Sequence, residues 1–478
     1  MLFNSFSFGF FLLLVSLLYW LIFNRGRRLR NAFLLVASYF FYGCWDWHFL
    51  FLIVFITATD FFFGWLIQKT EKDASRKWML TSALVINLCT LGFFKYFNFF
   101  IDSANALFGM IGLSCSLHTL NIILPVGISF FTFQGLSYVI DIYRRQLEPT
   151  RDVVAFATFV AFFPQLVAGP IERARDLLPQ FLDPVKRKLF VYDDMRRGLV
   201  LIAVGLFKKV VIADRLAVYV DHVYANPTLG LPAIVAVIFF CFQLYLDFSA
   251  YSQIAIGTAR LLGYHLSANF LRPYLATNFR GFWSRWHITL TSWFRDYLYI
   301  PLGGNRRGMM RMLLNTMIVF MVSGLWHGAS WNFVIWGALN GLSQIVFDRW
   351  LKLNPKGWLA RIPSAIFVTA YWAVTLIFFR AATFGDAMTM FGCLGFTNTD
   401  VLYTFGLGEV EFKFTCWIIV GLMVVELMED VWKEKLDSFF YGRFWPLRWM
   451  AYLLLVLGTI YLGIYGNGSD HNFIYFQF

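Results

Sequence analysis

The sequence predicts an all-α polytopic membrane protein, and three observations carry that class. Of its 478 residues 59% are hydrophobic and only 14% charged, where soluble chains carry roughly 25% charged residues. Mean hydropathy is +0.62. Apolar runs such as SFSFGFFLLLVSLLYWLIF (5–23), FLFLIVFITATDFFFGWLI (49–67) and LPAIVAVIFFCFQLYL (231–246) approach the ~20 residues that a helix needs to cross hydrocarbon. Helices are the answer there because each backbone N–H and C=O must find its partner inside the segment.

The first run is followed by Arg25, Arg27, Arg28 and Arg30 and has no small-residue cleavage site. It therefore reads as a span with its N-terminus outside, not as a cleavable signal. Spans at 31–44, 49–67 and 79–99 come next, and the loop QKTEKDASRK (68–77) with four basic residues falls on the cytosolic side. A fifth span within 119–140 ends at the basic DIYRRQ. The next run, VVAFATFVAFFPQLVAGP (153–170), has basic sequence on both sides, with IERARDLLPQFLDPVKRK after it. One crossing would carry that second stretch outside. A re-entrant segment, broken at Pro164, Gly169 and Pro170, resolves the conflict, with a kinked span as the alternative.

Residues 197–216, interrupted by Lys208 and Lys209, and 229–247 are further spans. The aromatic region 260–311 holds eight arginines and one acid and reads as interfacial helices on the cytosolic side, with GGNRRG (303–308) a flexible turn. Spans at 312–326 and 331–347 flank WHGAS, and 363–379, 412–427 and 448–466 complete the set. The sum is about ten to twelve crossings, with no internal repeat of the transporter kind. Residues 381–411 are the longest polar-leaning external stretch, and GNG at 466–468 reads as a turn. One integral-membrane domain, 1–478, results: N-terminal helices (1–150), a core (151–350) and C-terminal helices (351–478).

The 40 Lys and Arg against 28 Asp and Glu give a formal charge of +12. In a membrane chain that excess marks cytosolic loops beside anionic lipid and attracts anionic substrates, and no nucleic acid is needed to explain it. The six cysteines, Cys44, Cys89, Cys115, Cys241, Cys393 and Cys416, are scattered without a CxxC and read as small core hydrophobes. No HExxH or cysteine pair suggests a metal, no GxxxxGK[ST] suggests ATP, and no GxSxG suggests an esterase elbow.

There are seven histidines: His48, His118, His222, His265, His287, His327 and His471. His327 lies in MVSGLWHGASWNFVIWG (321–337), between apolar runs, where Gly324 and Gly328 let a backbone or a ligand come close. A titratable group inside the membrane is a functional candidate, and imidazole suits a general base at neutral pH. The rival role is packing glue between helices. His287 lies in FWSRWHITLTSWFRDYLYIPLGG (282–304). If 279–298 is one helix, Arg280, Trp283 or Ser284, His287 and Thr291 form a polar stripe, leaving tryptophans toward lipid. A plain interfacial helix is the alternative. Arg280, Arg285 and Arg295, with Trp283 beside them, are candidates for holding donor phosphates, since the guanidinium fork matches phosphate oxygens. Positive-inside patterning accounts for them equally well. Asp247, at the end of an apolar run, needs an Arg, Tyr or Ser partner.

NFLRPYLATNFRGFWSRWHITLTSWFRDYLYIPLGGNR (269–306), SGLWHGASWNFVIWG (323–337), FFPQLVAGPIER (162–173), YLDFSAYSQIAIG (245–257) and FIYFQF (473–478) together resemble the membrane-bound O-acyltransferase family. The likeness covers nearly the whole chain and is strongest to the branch that modifies bacterial polysaccharides. Ala250 and Gln253 depart from the family's usual Gly and Asp, while both histidine motifs are intact. The resemblance implies a ring of transmembrane helices with re-entrant pieces around a central funnel, in the bacterial inner membrane. It implies His327 as the catalytic histidine, His287 as a second functional residue, and acetyl-CoA as the thioester donor. It further implies an extracytoplasmic SGNH-type acetyltransferase partner and O-acetylation of a polysaccharide such as alginate. Alternatives are action on peptidoglycan, teichoic acid, lipid or protein, or a transporter or flippase without chemistry.

Overall fold

The computed structural model describes residues 1–113, 117–167, 169–182, 191–353, 355, 357–441, 445–465 and 473–474. Cys115, the basic stretch 183–190, His471, the GNG turn and most of FIYFQF lie outside the described residues. Every regular element among the described residues is helical. Among the described residues, seven continuous helical stretches are long and apolar enough to cross a membrane: Phe6–Phe23, Arg27–Lys69, Asp73–Met110, Leu231–Leu261, Met309–His327, Leu359–Arg380 and Trp445–Leu462. The chain is thus a multi-pass membrane protein. The number falls below the expected ten to twelve partly because Arg27–Lys69, at 43 residues, contains two of the predicted spans. They meet at a short turn, Trp47–Phe49, which Asp46 starts by accepting from the His48 N–H at 2.9 Å. The predicted span 197–216 is helical throughout, within Tyr192–Ala225, but its own charges keep it out of the apolar set.

The chain forms two compact units interleaved in sequence. The first comprises Met1–Leu199, Ala255–Ser267 and Gly328–Ser330. In it the run predicted to re-enter becomes the helix Val153–Ala161, only nine residues long. At 1.5 Å per residue it rises about 14 Å, half the hydrocarbon thickness, so it cannot cross. Asp152 caps its start by accepting from the Ala155 N–H at 3.0 Å. At its end, buried side chains take over the freed backbone groups: Gln165 Nε2 donates to the Phe159 carbonyl at 2.8 Å and Phe163 N donates to Ser38 Oγ at 3.1 Å. Irregular backbone persists at membrane depth only with such partners. These observations favour re-entry over a kinked span.

The second unit comprises Val200–Ile254, Ala268–His327 and Trp331–Phe478. Its core is aromatic, with Trp286, Trp336 and Trp372 all essentially buried. Asp247 is hidden here, and its partner is neither Arg, Tyr nor Ser. Lys209 Nζ lies 2.7 Å from Asp247 Oδ1 and 2.8 Å from Asp214 Oδ1, and the Ile474 N–H donates to Asp247 Oδ2 at 2.7 Å. The lysines that seemed to interrupt 197–216 thus include the counter-ion for the next span. Of the cysteines, Cys44, Cys89, Cys241, Cys393 and Cys416 are free thiols. Cys241 and Cys393 are core residues as expected, whereas Cys44 and Cys89 lie on exposed faces.

Candidate active site

Histidine 287 stands at a break. The continuous helix 279–298 is not formed: Phe279–Trp283 and Ile288–Phe294 are separate short helices, and Arg295–Tyr299 winds as a π-helical turn. Asn278 caps the first by accepting from Gly281 N at 2.7 Å. Asp348 adds its carboxylate to the same helix start, accepting from the N–H groups of Phe279 and Arg280. Between the helices His287 takes a left-handed conformation, φ 42° and ψ 54°, which a residue with a Cβ adopts at a cost of roughly 1–2 kcal/mol. The segment 269–271 holds it there from both sides. Leu271 N donates to the Arg285 carbonyl and Ile288 N donates to the Asn269 carbonyl, each at 2.9 Å. The Asn269 side chain completes the clamp. Its Oδ1 accepts from Thr289 Oγ1 at 2.9 Å, and its Nδ2 donates to Ser252 Oγ at 3.3 Å.

Histidine 327 is the last residue of the helix Met309–His327. That helix packs directly against Trp331–Ser343, backbone to backbone. A Cβ on Gly324 would sit 2.1 Å from the Phe333 carbonyl oxygen, and one on Gly337 would sit 2.3 Å from that of Phe320. Gly324 therefore serves approach by another backbone, one of the two uses its position suggested. The tight pairing leaves the orientation of His327 little freedom.

The two imidazoles converge, with ring centroids 6.5 Å apart. Trp326 touches both, 5.6 Å from His287 and 4.9 Å from His327. Trp336 and Phe379 present to His327 at 5.1 and 5.4 Å, and Phe248 meets His287 edge-on at 4.7 Å. Both histidines are buried. Burial pushes the His287 imidazole down to about 3, so at neutral pH that ring is uncharged and acts through hydrogen bonds and not through charge.

The remaining candidates do not gather on one stripe. Trp283, Trp286 and Trp293 are buried in the protein interior, contrary to the lipid-facing reading. Trp283 packs against Phe320 at 5.0 Å and Trp372 at 5.6 Å. Arg280 is exposed, and exposed Arg295 pairs with its neighbour Asp296 at 2.7 Å. Arg285 is half-buried and shares Asp430 with Arg272. Sequence reasoning missed Asn269, Arg272, Phe248, Trp336 and Phe379. A signal existed for the first two, both polar residues in the NFLRP segment that opens the motif. The aromatic residues are indistinguishable in sequence from ordinary core.

A family model described as the membrane-bound O-acyltransferase family matches residues 76–385. The chain is 39% identical over 395 residues to the probable alginate O-acetylase AlgI of Azotobacter vinelandii, covering 82% of this chain and 77% of that protein. It is 34% identical over 439 residues to the peptidoglycan O-acetyltransferase of Helicobacter pylori, with 84% and 81% covered. Against the teichoic acid D-alanyltransferase of Bacillus subtilis the identity is 26% over 247 residues, with 49% and 62% covered.

Proposed function

Because the chain belongs to the membrane-bound O-acyltransferase family, we propose that it moves acetyl groups from cytosolic acetyl-CoA across the bacterial inner membrane. They serve O-acetylation of an extracytoplasmic polysaccharide such as alginate. The observation that carries the reading is the convergence of His327 and His287, 6.5 Å apart, within aromatic walls. In the proposed step a hydroxyl oxygen bonds to the acyl carbon, its proton passes to His327, the carbon–sulfur bond breaks, and the proton leaves on the thiol. Neutral, buried His287 orients the donor by hydrogen bonding. The surrounding rings exclude water that would otherwise hydrolyse the thioester. Relatives named for alginate and peptidoglycan acetylation support a polysaccharide acceptor. An SGNH-type acetyltransferase on the outer side completes the transfer.

The test uses membrane vesicles with the full chain and its candidate partner, supplied with acyl-labelled acetyl-CoA. Label reaching the partner or polymer falls by about 10²–10⁴-fold in His327→Ala at matched expression, the usual worth of a general base. Equal transfer by both proteins removes His327 from the chemistry and moves the role to His287.

A further inference from the structure

Two arginines near His287 converge on a single carboxylate oxygen. Arg272 Nε lies 3.3 Å and Arg285 Nη1 3.5 Å from Asp430 Oδ1, and Arg272 Nη1 lies 3.6 Å from Glu429 Oε2. These separations are long for charge-assisted hydrogen bonds, which run about 2.7–2.9 Å. The Lys209 contacts in the same unit are shorter, at 2.7 and 2.8 Å. Arg272 Nε is buried and makes no aligned hydrogen bond, Asp430 lying off its N–H direction. The acids are also accessible: the side chains of Glu429 and Asp430 are 52% and 24% exposed. They come from the helix Glu409–Tyr441, which loses helical geometry at Trp432, φ −125° and ψ 28°, two residues beyond Asp430. Arg272 is itself left-handed at φ 49°, and such strain in a residue with a Cβ clusters where binding uses it.

Resting on the donor reading above, we propose that Arg272 and Arg285 form a site for the phosphates of an anionic donor, and that Glu429 and Asp430 close it as phosphate surrogates until the donor displaces them. Carboxylate and phosphate offer the guanidinium fork the same acceptors. The long separations and the exposure of the acids make these contacts exchangeable. The kink at Trp432 interrupts the regular helix two residues beyond Asp430. The Leu271-to-Arg285 hydrogen bond joins the two arginines through the backbone, and His287 follows Arg285 by two residues. Phosphate occupancy is thereby tied to the posture of His287.

The experiment measures binding of coenzyme A and of inorganic pyrophosphate to the full chain in lipid nanodiscs. Arg272→Gln and Arg285→Gln each weaken both probes about tenfold, the worth of one charge-assisted contact. Glu429→Gln/Asp430→Asn tightens both by a similar factor. The exchange Arg285→Asp/Asp430→Arg keeps the ion pair and the thermal transition but loses probe binding. Wild-type binding by the exchange variant, or indifference of both probes to all four changes, overturns the proposal and leaves a structural ion pair. The two readings fail separately. Pyrophosphate binding that follows the variants without label transfer from acetyl-CoA keeps the site and rejects that donor. His327-dependent transfer with probes blind to the variants keeps the enzyme and rejects the site.

Discussion

Lys209 and His287 are equally hidden, at 2% and 1% exposure, yet their surroundings differ in kind. Lys209 lies between Asp214 and Asp247, with the Ile474 N–H on the same carboxylate and short contacts throughout. Its backbone is right-handed throughout, in the π-helical stretch Phe207–Ala213. His287 sits against rings, on a strained left-handed backbone that Asn269 holds in place. A buried ion satisfied by opposite charge is a device for holding helices together. A buried imidazole kept neutral, strained and beside a second imidazole is the arrangement that the proposed transfer uses. Burial alone does not separate the two; the partners and the backbone do.

The contrast breaks first at Lys209. Lys209→Met leaves two facing carboxylates without a cation, and stability falls by about 3–5 kcal/mol as for other broken buried pairs. The triple change Lys209→Met/Asp214→Asn/Asp247→Asn recovers most of it, read from thermal unfolding in detergent. Failure of the triple variant to recover gives Lys209 a role beyond pairing. Asn269→Ala comes next and acts on turnover: kcat falls about 10–100-fold as His287 loses its posture, while donor KM is unchanged. A variant that loses stability without this kcat effect makes Asn269 ordinary packing.

Acid titration sharpens the same point on a smaller scale. The unfolded chain protonates His287 near its ordinary 6.5, whereas burial holds the folded ring at about 3. The unfolded state therefore takes up the proton first, and stability drops as pH falls through that window. His287→Gln flattens this part of the stability profile, and an unchanged slope in the variant rejects the neutral-ring account. Glu172 gives the smallest effect, of opposite sign. Burial pushes its carboxyl up to about 7 despite hydrogen bonds from Ser267 N and Oγ. The folded state thus keeps the proton longer, and stability is lost as pH rises from 4.5 through 7. Glu172→Gln removes that loss.

The long spans were readable because twenty apolar residues have few other physical outcomes. The re-entrant piece was readable from charge, since basic loops on both sides forbid a simple crossing. The break at Ser284–His287 was not. No glycine or proline marks it, and it is imposed by hydrogen bonds from 269–271, sixteen residues upstream and silent in local propensity. Trp283, Trp286 and Trp293 misled for a related reason: an amphipathic ring suits a membrane interface and a protein interior equally. Lys209 as partner of Asp247 was hidden only by treating each apolar run alone. Opposite charges in successive runs are natural partners.

The glycine contact between Met309–His327 and Trp331–Ser343 carries a consequence for how this chain varies in length. Gly324 and Gly337 meet carbonyls with no room for a methyl group. Adding or deleting one residue between Gly324 and His327 would turn His327 by about 100° about its helix relative to the glycine contact and swing it away from His287. A change between Trp331 and Gly337 would likewise turn Gly337 off the Phe320 carbonyl, so the helical lengths on either side of the 328–330 turn are fixed while outward positions can drift in identity.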